Sequence, residues 1–258
     1  MKGITLITLF LVAVLALPAA VGANHSWGGY HWARTANPFT LKLGDNVSGV
    51  WDTHLATASG DWSQSAVLDT SVVSGLSNPK NCKATRGRVE VCNSKYGNNG
   101  WLGLAQIWVT SGLHIVQGVT KVNDTYFNRP AYNTTAWRNL VMCQEVGHTL
   151  GLDHQDEVFG NANLGTCMDY TSLPSGPPSN EHPNAHDYEE LEIIYSHLDT
   201  FTTLGQTLRA SAKADVAKGD FENQSEWGRK VKGQGKTAVF ERDFGGGNKL
   251  FTFVIFAE

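Results

Sequence analysis

Charge is scarce in this chain: only 17% of its 258 residues are Asp, Glu, Lys or Arg. The 20 Lys+Arg against 24 Asp+Glu leave a net charge of -4, and no stripe of basic residues runs anywhere along it. That balance excludes a dedicated nucleic-acid binder. Beyond Leu17 no run reaches about 18 apolar residues, the length a membrane-spanning helix needs. Internal repeats and low-complexity tracts are missing as well, and no C-x-x-C spacing occurs among the four cysteines, which argues against a cysteine metal site. Hydrophobic residues are not scarce: at 41% they exclude wholesale disorder and suffice for a packed core. The length allows one large domain or two small ones.

The N-terminus has the layout of a secretory signal peptide. Lys2 is followed by an apolar run from Ile4 to Leu17, a break at Pro18 and small residues up to Ala23. Cleavage is expected after Ala23, which makes residues 1–23 the signal peptide and the mature protein extracellular and free of a membrane anchor. Four cysteines in a secreted chain suggest two disulfides, with three possible connectivities. Proximity in the sequence, or to the motifs below, favours Cys82–Cys92 and Cys143–Cys167. Asn24, Asn46, Asn123, Asn133 and Asn223 each head an N-x-S/T triplet, usable only in a glycosylating host.

Periodicity predicts strands over residues 39–43, 66–73, 88–91, 102–109 and 114–122, with a helix over 51–62. Asn133, Thr134 and Thr135 offer caps for a second helix running to about residue 150. Residues 172–183 are a loop by their Pro, Gly and Ser content. Residues 186–198 carry an apolar stripe (Tyr188, Leu191, Ile194 or Tyr195, Leu198) and predict an amphipathic helix. Two β-rich runs, 237–244 and 249–256, flank Gly245-Gly246-Gly247-Asn248 and read as a hairpin. Residues 24–200 form a catalytic-size unit, and 201–258 a β-rich C-terminal extension.

The chemistry concentrates in Cys143-Gln144-Glu145-Val146-Gly147-His148-Thr149-Leu150-Gly151-Leu152-Asp153-His154. On a helix, residues 144 and 148 share one face, one turn or about 6 Å apart. Two donors so placed can bind one metal ion, and Glu145 beside them can reach a water bound to it. Gly151 can take the left-handed conformation that ends a helix, which swings His154 back as a third donor. Three donors plus water make an open catalytic zinc site, in which the glutamate takes a proton from the attacking water.

This segment resembles the zinc signature H-E-x-x-H-x-x-G-x-x-H of the metzincin metallopeptidases, of the matrixin and astacin kind, with Gln144 in place of the first histidine. Gly165-Thr166-Cys167-Met168-Asp169-Tyr170 is similar to the methionine turn beneath the metal of that family. The resemblance implies an α+β catalytic domain over residues 24–200: a twisted mixed five-stranded sheet, an active-site helix and a C-terminal helix. It implies Met168 as the structural floor of the site, Tyr170 as a group that touches zinc or the oxyanion, and residues 102–109 as the sheet edge that pairs with an extended substrate. Gln144, His148 and His154 become the Zn2+ ligands and Glu145 the general base.

The amide oxygen of Gln144 is a weaker zinc donor than imidazole. It could still bind, Tyr170 or a water could fill its place, or the site could have lost its metal. The expected function is therefore a secreted, monomeric zinc endopeptidase acting on protein or peptide substrates, with an inactive pseudo-protease that binds peptides as the alternative. Residues 24–38 leave no room for an inhibitory pro-domain and hold no cysteine to cap the zinc, so the enzyme is expected to be born active, or gated by disulfide formation and metal uptake outside the cell. Among the other histidines, His25, His31, His54, His114, His182 and His186 could serve a structural ion but read as ordinary core or surface residues. Asp156 and Glu157 could hold calcium or pair with a nearby cation, but read first as a solvated acidic loop.

Overall fold

The computed structural model describes residues 24–205, 221 and 223–257, so the signal-peptide reading of residues 1–23 lies outside the described residues. Nine strands and four α-helices follow in order. They are β1 (His31–Trp32), β2 (Phe39–Asn46), α1 (Trp51–Trp62), β3 (Leu68–Ser74), β4 (Val89–Ser94), β5 (Trp101–Thr110), β6 (His114–Asn123), α2 (Asp124–Phe127), α3 (Thr135–Thr149), α4 (Ala185–Ile194), β7 (Arg229–Lys232), β8 (Thr237–Gly245) and β9 (Asn248–Phe256). No helix among the described residues is long and apolar enough to cross a membrane.

The α+β expectation holds at the level of a mixed sheet with helices, but the sheet is larger than the five strands expected. All nine strands belong to one sheet, in the order β3-β2-β4-β6-β5-β9-β8-β7, with β1 pairing alongside the start of β6. β2, β3, β4 and β6 are mutually parallel, and α1 provides the crossover from β2 to β3 that a parallel pair requires. β5 is antiparallel to β6 on one side and to β9 on the other. Residues 102–109 are thus an interior strand and not the free edge the resemblance implies. The physical reason is composition: β5 is buried at nine of its ten positions, and its apolar side chains serve both faces. Leu102, Ala105, Ile107 and Val109 join the core under α1 and α3, while Trp101, Leu104 and Trp108 join a second core with Phe240, Leu250 and Val254. A strand apolar on both faces is stable only where neighbours cover both.

Local signals account for the helices. Thr134 caps α3 by accepting from the Trp137 amide. Asn184 and Asp187 form a reciprocal capping box at the start of α4. The last helix ends at Ile194 and does not reach residue 198. Past it, the carbonyls of Tyr195 and His197 turn to accept from the Arg34 guanidinium, and Leu198 is left exposed. The two disulfides are Cys82–Cys92, in the second core, and Cys143–Cys167, which ties α3 to the segment holding Met168.

Two of the five N-x-S/T asparagines are consumed by the fold. Asn123 is fully buried, donating to the carbonyls of Gly97 and Trp101 and accepting from the Thr125 amide. Asn46 is buried and donates to Glu90 at 2.6 Å.

Candidate active site

Gln144, Glu145 and His148 lie on the last two turns of α3, and all three are buried. Gly151 ends the turn with φ +98°, as a left-handed cap requires, and the chain reverses so that His154 comes back to the helix. The two imidazoles meet with their Nε2 atoms 2.9 Å apart. The Nδ1 of His148 lies 2.9 Å from the Leu152 carbonyl, which can only accept. The ring proton therefore sits on Nδ1, and Nε2 keeps its lone pair facing His154. Burial, with His154 alongside, pushes the His148 pKa well below the ordinary imidazole value, so the ring is neutral.

Met168 lies directly beneath α3. A Cβ at Gly147 would collide with its sulfur and with the Trp62 ring, so this helix position has to be glycine. The Gln144 amide donates to the Cys167 carbonyl at 2.8 Å, which leaves its Oε1 buried with no partner. Both carboxylate oxygens of Glu145 are likewise buried and unpartnered, and desolvation raises its pKa well above the usual carboxylate range. The Tyr170 ring lies 4.4 Å from that of His154. Its hydroxyl is buried without a well-aligned partner, and burial, followed by the charge of Glu145, raises its pKa well above the ordinary phenol value.

This donor set fits zinc. Two nitrogens held by one tetrahedral ion at about 2.0–2.1 Å would sit roughly 3.3 Å apart, close to the spacing of the two Nε2 atoms. One turn earlier on the same helix, Gln144 Oε1 is buried and unsatisfied. Unpartnered buried polar atoms are rare in native proteins, and Gln144, Glu145 and Tyr170 together contribute four of them.

Sequence patterns do not reveal what covers the site. Phe253 of β9 stacks on His148, the rings nearly parallel at 11° and 4.3 Å apart. β9 reaches that place because it pairs with β5, Phe253 standing opposite Ala105 and Thr252 opposite Gln106. Gln106 seals the register by donating to the Thr252 hydroxyl at 3.1 Å. From the end of β7, Lys232 reaches Asp153 at 2.5 Å and Glu157 at 3.1 Å, the two carboxylates flanking His154. Although burial opposes it, the pairing with His154 and Lys232 holds the Asp153 carboxyl far below its ordinary value. Glu157 is thus an ion-pair partner and not part of a solvated loop. Lys232 sits in an unremarkable Lys/Gly-rich stretch and Phe253 in a β-rich run, so neither carries a local mark of its place.

Comparison with known proteins adds little. No known family profile matches the chain, and no curated protein does. Among solved structures, that of myroilysin aligns with 72% of this chain over its own full length, at 12% identity and a TM-score of 0.34.

Proposed function

We propose that this protein is a secreted, zinc-dependent endopeptidase of metzincin type, held closed by its own C-terminal strands. The observation that carries the reading is the convergence of His148 and His154 through their Nε2 atoms beside a buried, unpartnered Glu145 on the same helix. His148 and His154 would hold zinc, with Gln144 Oε1 as a third and weaker donor. Bound zinc would supply Lewis-acid polarisation of the scissile carbonyl and acidify a water. Glu145, desolvated and therefore a stronger base than a free carboxylate, would be the group that takes the proton from such a water. Tyr170 presents its hydroxyl as a hydrogen-bond donor to the oxygen that gains charge.

The expectation of an enzyme born active is replaced here by a closed one. Glu145, His148 and Tyr170 are each about 1% exposed, and β9 occupies the side of β5 on which an extended substrate would pair. The closure comes from the C-terminal extension, whose strand β9 lies antiparallel beside β5. The apolar run at residues 4–17 and the two disulfides support secretion. The fold's neutral-to-acidic balance supports a protein or peptide partner and no nucleic acid.

A second reading, a pseudo-protease that binds peptides without cutting them, is favoured by one observation: the weak donor Gln144 stands where the signature has histidine. Metal content by elemental mass spectrometry and hydrolysis of an unfolded protein substrate, measured on the parent and on Phe253→Ala, decide between them. Zinc at the site and cleavage by the opened variant support the peptidase. Zinc-free protein with no cleavage in either form overturns it and leaves the binding module.

A further inference from the structure

A second group of donors gathers where β1 pairs with β6, outside the signature segment. His31 stands in β1, His114 opens β6, and His197 and Asp199 follow α4. Pairing in register sets His31 directly beside His114, and their rings meet edge to face with centroids 5.1 Å apart. The Nε2 atoms of His31 and His197 are 3.2 Å apart. Asp199 Oδ1 lies 3.2 Å from His114 Nε2, and its Oδ2 lies 3.6 Å from His31 Nε2.

We propose that His31, His197 and Asp199 form a divalent-metal site, most suited to Zn2+, that staples the N-terminal segment to the chain after α4, with His114 supporting the Asp199 carboxylate from outside. Donors about 2.0–2.1 Å from a tetrahedral ion stand roughly 3.3 Å apart, and the His31–His197 and His31–Asp199 Oδ2 separations of 3.2 and 3.6 Å bracket that value. Two imidazoles and one carboxylate are a mixed nitrogen and oxygen set that zinc accepts, with one position left for water.

The surroundings are those of a prepared site. His31 Nδ1 lies 2.8 Å from the Gly29 carbonyl, which fixes the proton there and leaves Nε2 as the lone-pair donor. Asp199 is fixed by the Arg34 guanidinium at 3.3 Å and the Arg34 amide at 3.1 Å, both on Oδ2, the outer support that ligating carboxylates commonly have. His31 is buried and Asp199 nearly so, whereas His197 is exposed and offers the way in for an ion. Without an ion, two neutral imidazoles facing at this distance satisfy each other with one shared proton at most.

Zinc per chain, measured on the full-length mature protein after equilibration with Zn2+ alone and removal of excess, tests the site independently of the one on α3. The variant His197→Ala removes an exposed ligand and should fold; Asp199→Asn is its companion. The expected result is loss of one zinc equivalent in both, whatever the parent total, with affinity for that equivalent down at least about 100-fold. His154→Ala should leave this equivalent in place. Chelation should lower the melting temperature of the parent and leave that of His197→Ala unmoved. An unchanged zinc content in His197→Ala and Asp199→Asn, or a parent that holds no zinc at all, overturns the proposal.

Discussion

Phe253 lies flat on His148, ring to ring at 4.3 Å, joining a strand near the C-terminus to the helix that carries the signature. The contact covers the imidazole face and places an apolar side chain where a substrate would approach. Phe253→Ala deletes a fully buried aromatic ring and should cost about 3–5 kcal/mol of stability. It should also open the site. Thermal unfolding, with the zinc exchange rate measured in parallel, checks both; slower or unchanged exchange would show that Phe253 does not gate access.

Replacing Glu145 by Gln separates its chemical role from its structural one. Hydrolysis by an opened protein should fall about 10²–10⁴-fold while zinc stays bound. Stability should change in the opposite sense. A buried carboxyl with a raised folded pKa destabilises the protein as pH rises above its unfolded value near 4.3, because only the unfolded state ionises freely. In chelator-treated protein, Glu145→Gln should therefore melt higher than the parent at pH 7 and alike at pH 3.

Gln144→His tests the departure from the signature. Imidazole in place of an amide oxygen should tighten zinc by at least about tenfold. A competition titration against a chromogenic chelator reads the gain. If an existing hydrolytic activity changes little, Gln144 is a working ligand; activity that appears only in the variant assigns the native chain to the binding class.

Lys232 holds the C-terminal strands to the site through Asp153 and Glu157. Lys232→Ala leaves two carboxylates beside His154 without their cation, one of them buried, and should cost about 1–3 kcal/mol. Limited proteolysis should then cut residues 229–257 faster than in the parent. Equal rates would assign closure to β-pairing alone.

Glu241 of β8 lies between two cations, Lys249 of β9 at 3.0 Å and Arg229 of β7 at 3.2 Å. Burial works against it, but these two cations bring its carboxyl below the usual range. Its contribution is present above the unfolded carboxylate pKa near 4.3 and is lost as pH falls through the lower folded value. Glu241→Gln should lower stability by roughly 1 kcal/mol or less at pH 7, and the two proteins should converge by about pH 3 in thermal melts.

Short-range patterns alone determined the helix spanning residues 51–62, the Thr134 cap, the left-handed Gly151 and the i, i+4 placement of Gln144 and His148. Each depends on backbone geometry within a turn or two, which the residues themselves impose. Both cysteine pairs were also legible, one from short separation and one from the two motifs it joins. Tertiary structure decided the partner of β5. Residues 102–109 have the pattern of a strand, but no local rule says whether such a strand is an edge or is covered, because that depends on which distant segment buries its second face. The same long-range choice brings Phe253 and Lys232 to the signature helix, and buries Asn46 and Asn123 within nominal glycosylation triplets. It also gathers His31, His114, His197 and Asp199, which are separated by up to 168 positions and meet only because β1 pairs with β6 and Arg34 draws the chain after α4 across them.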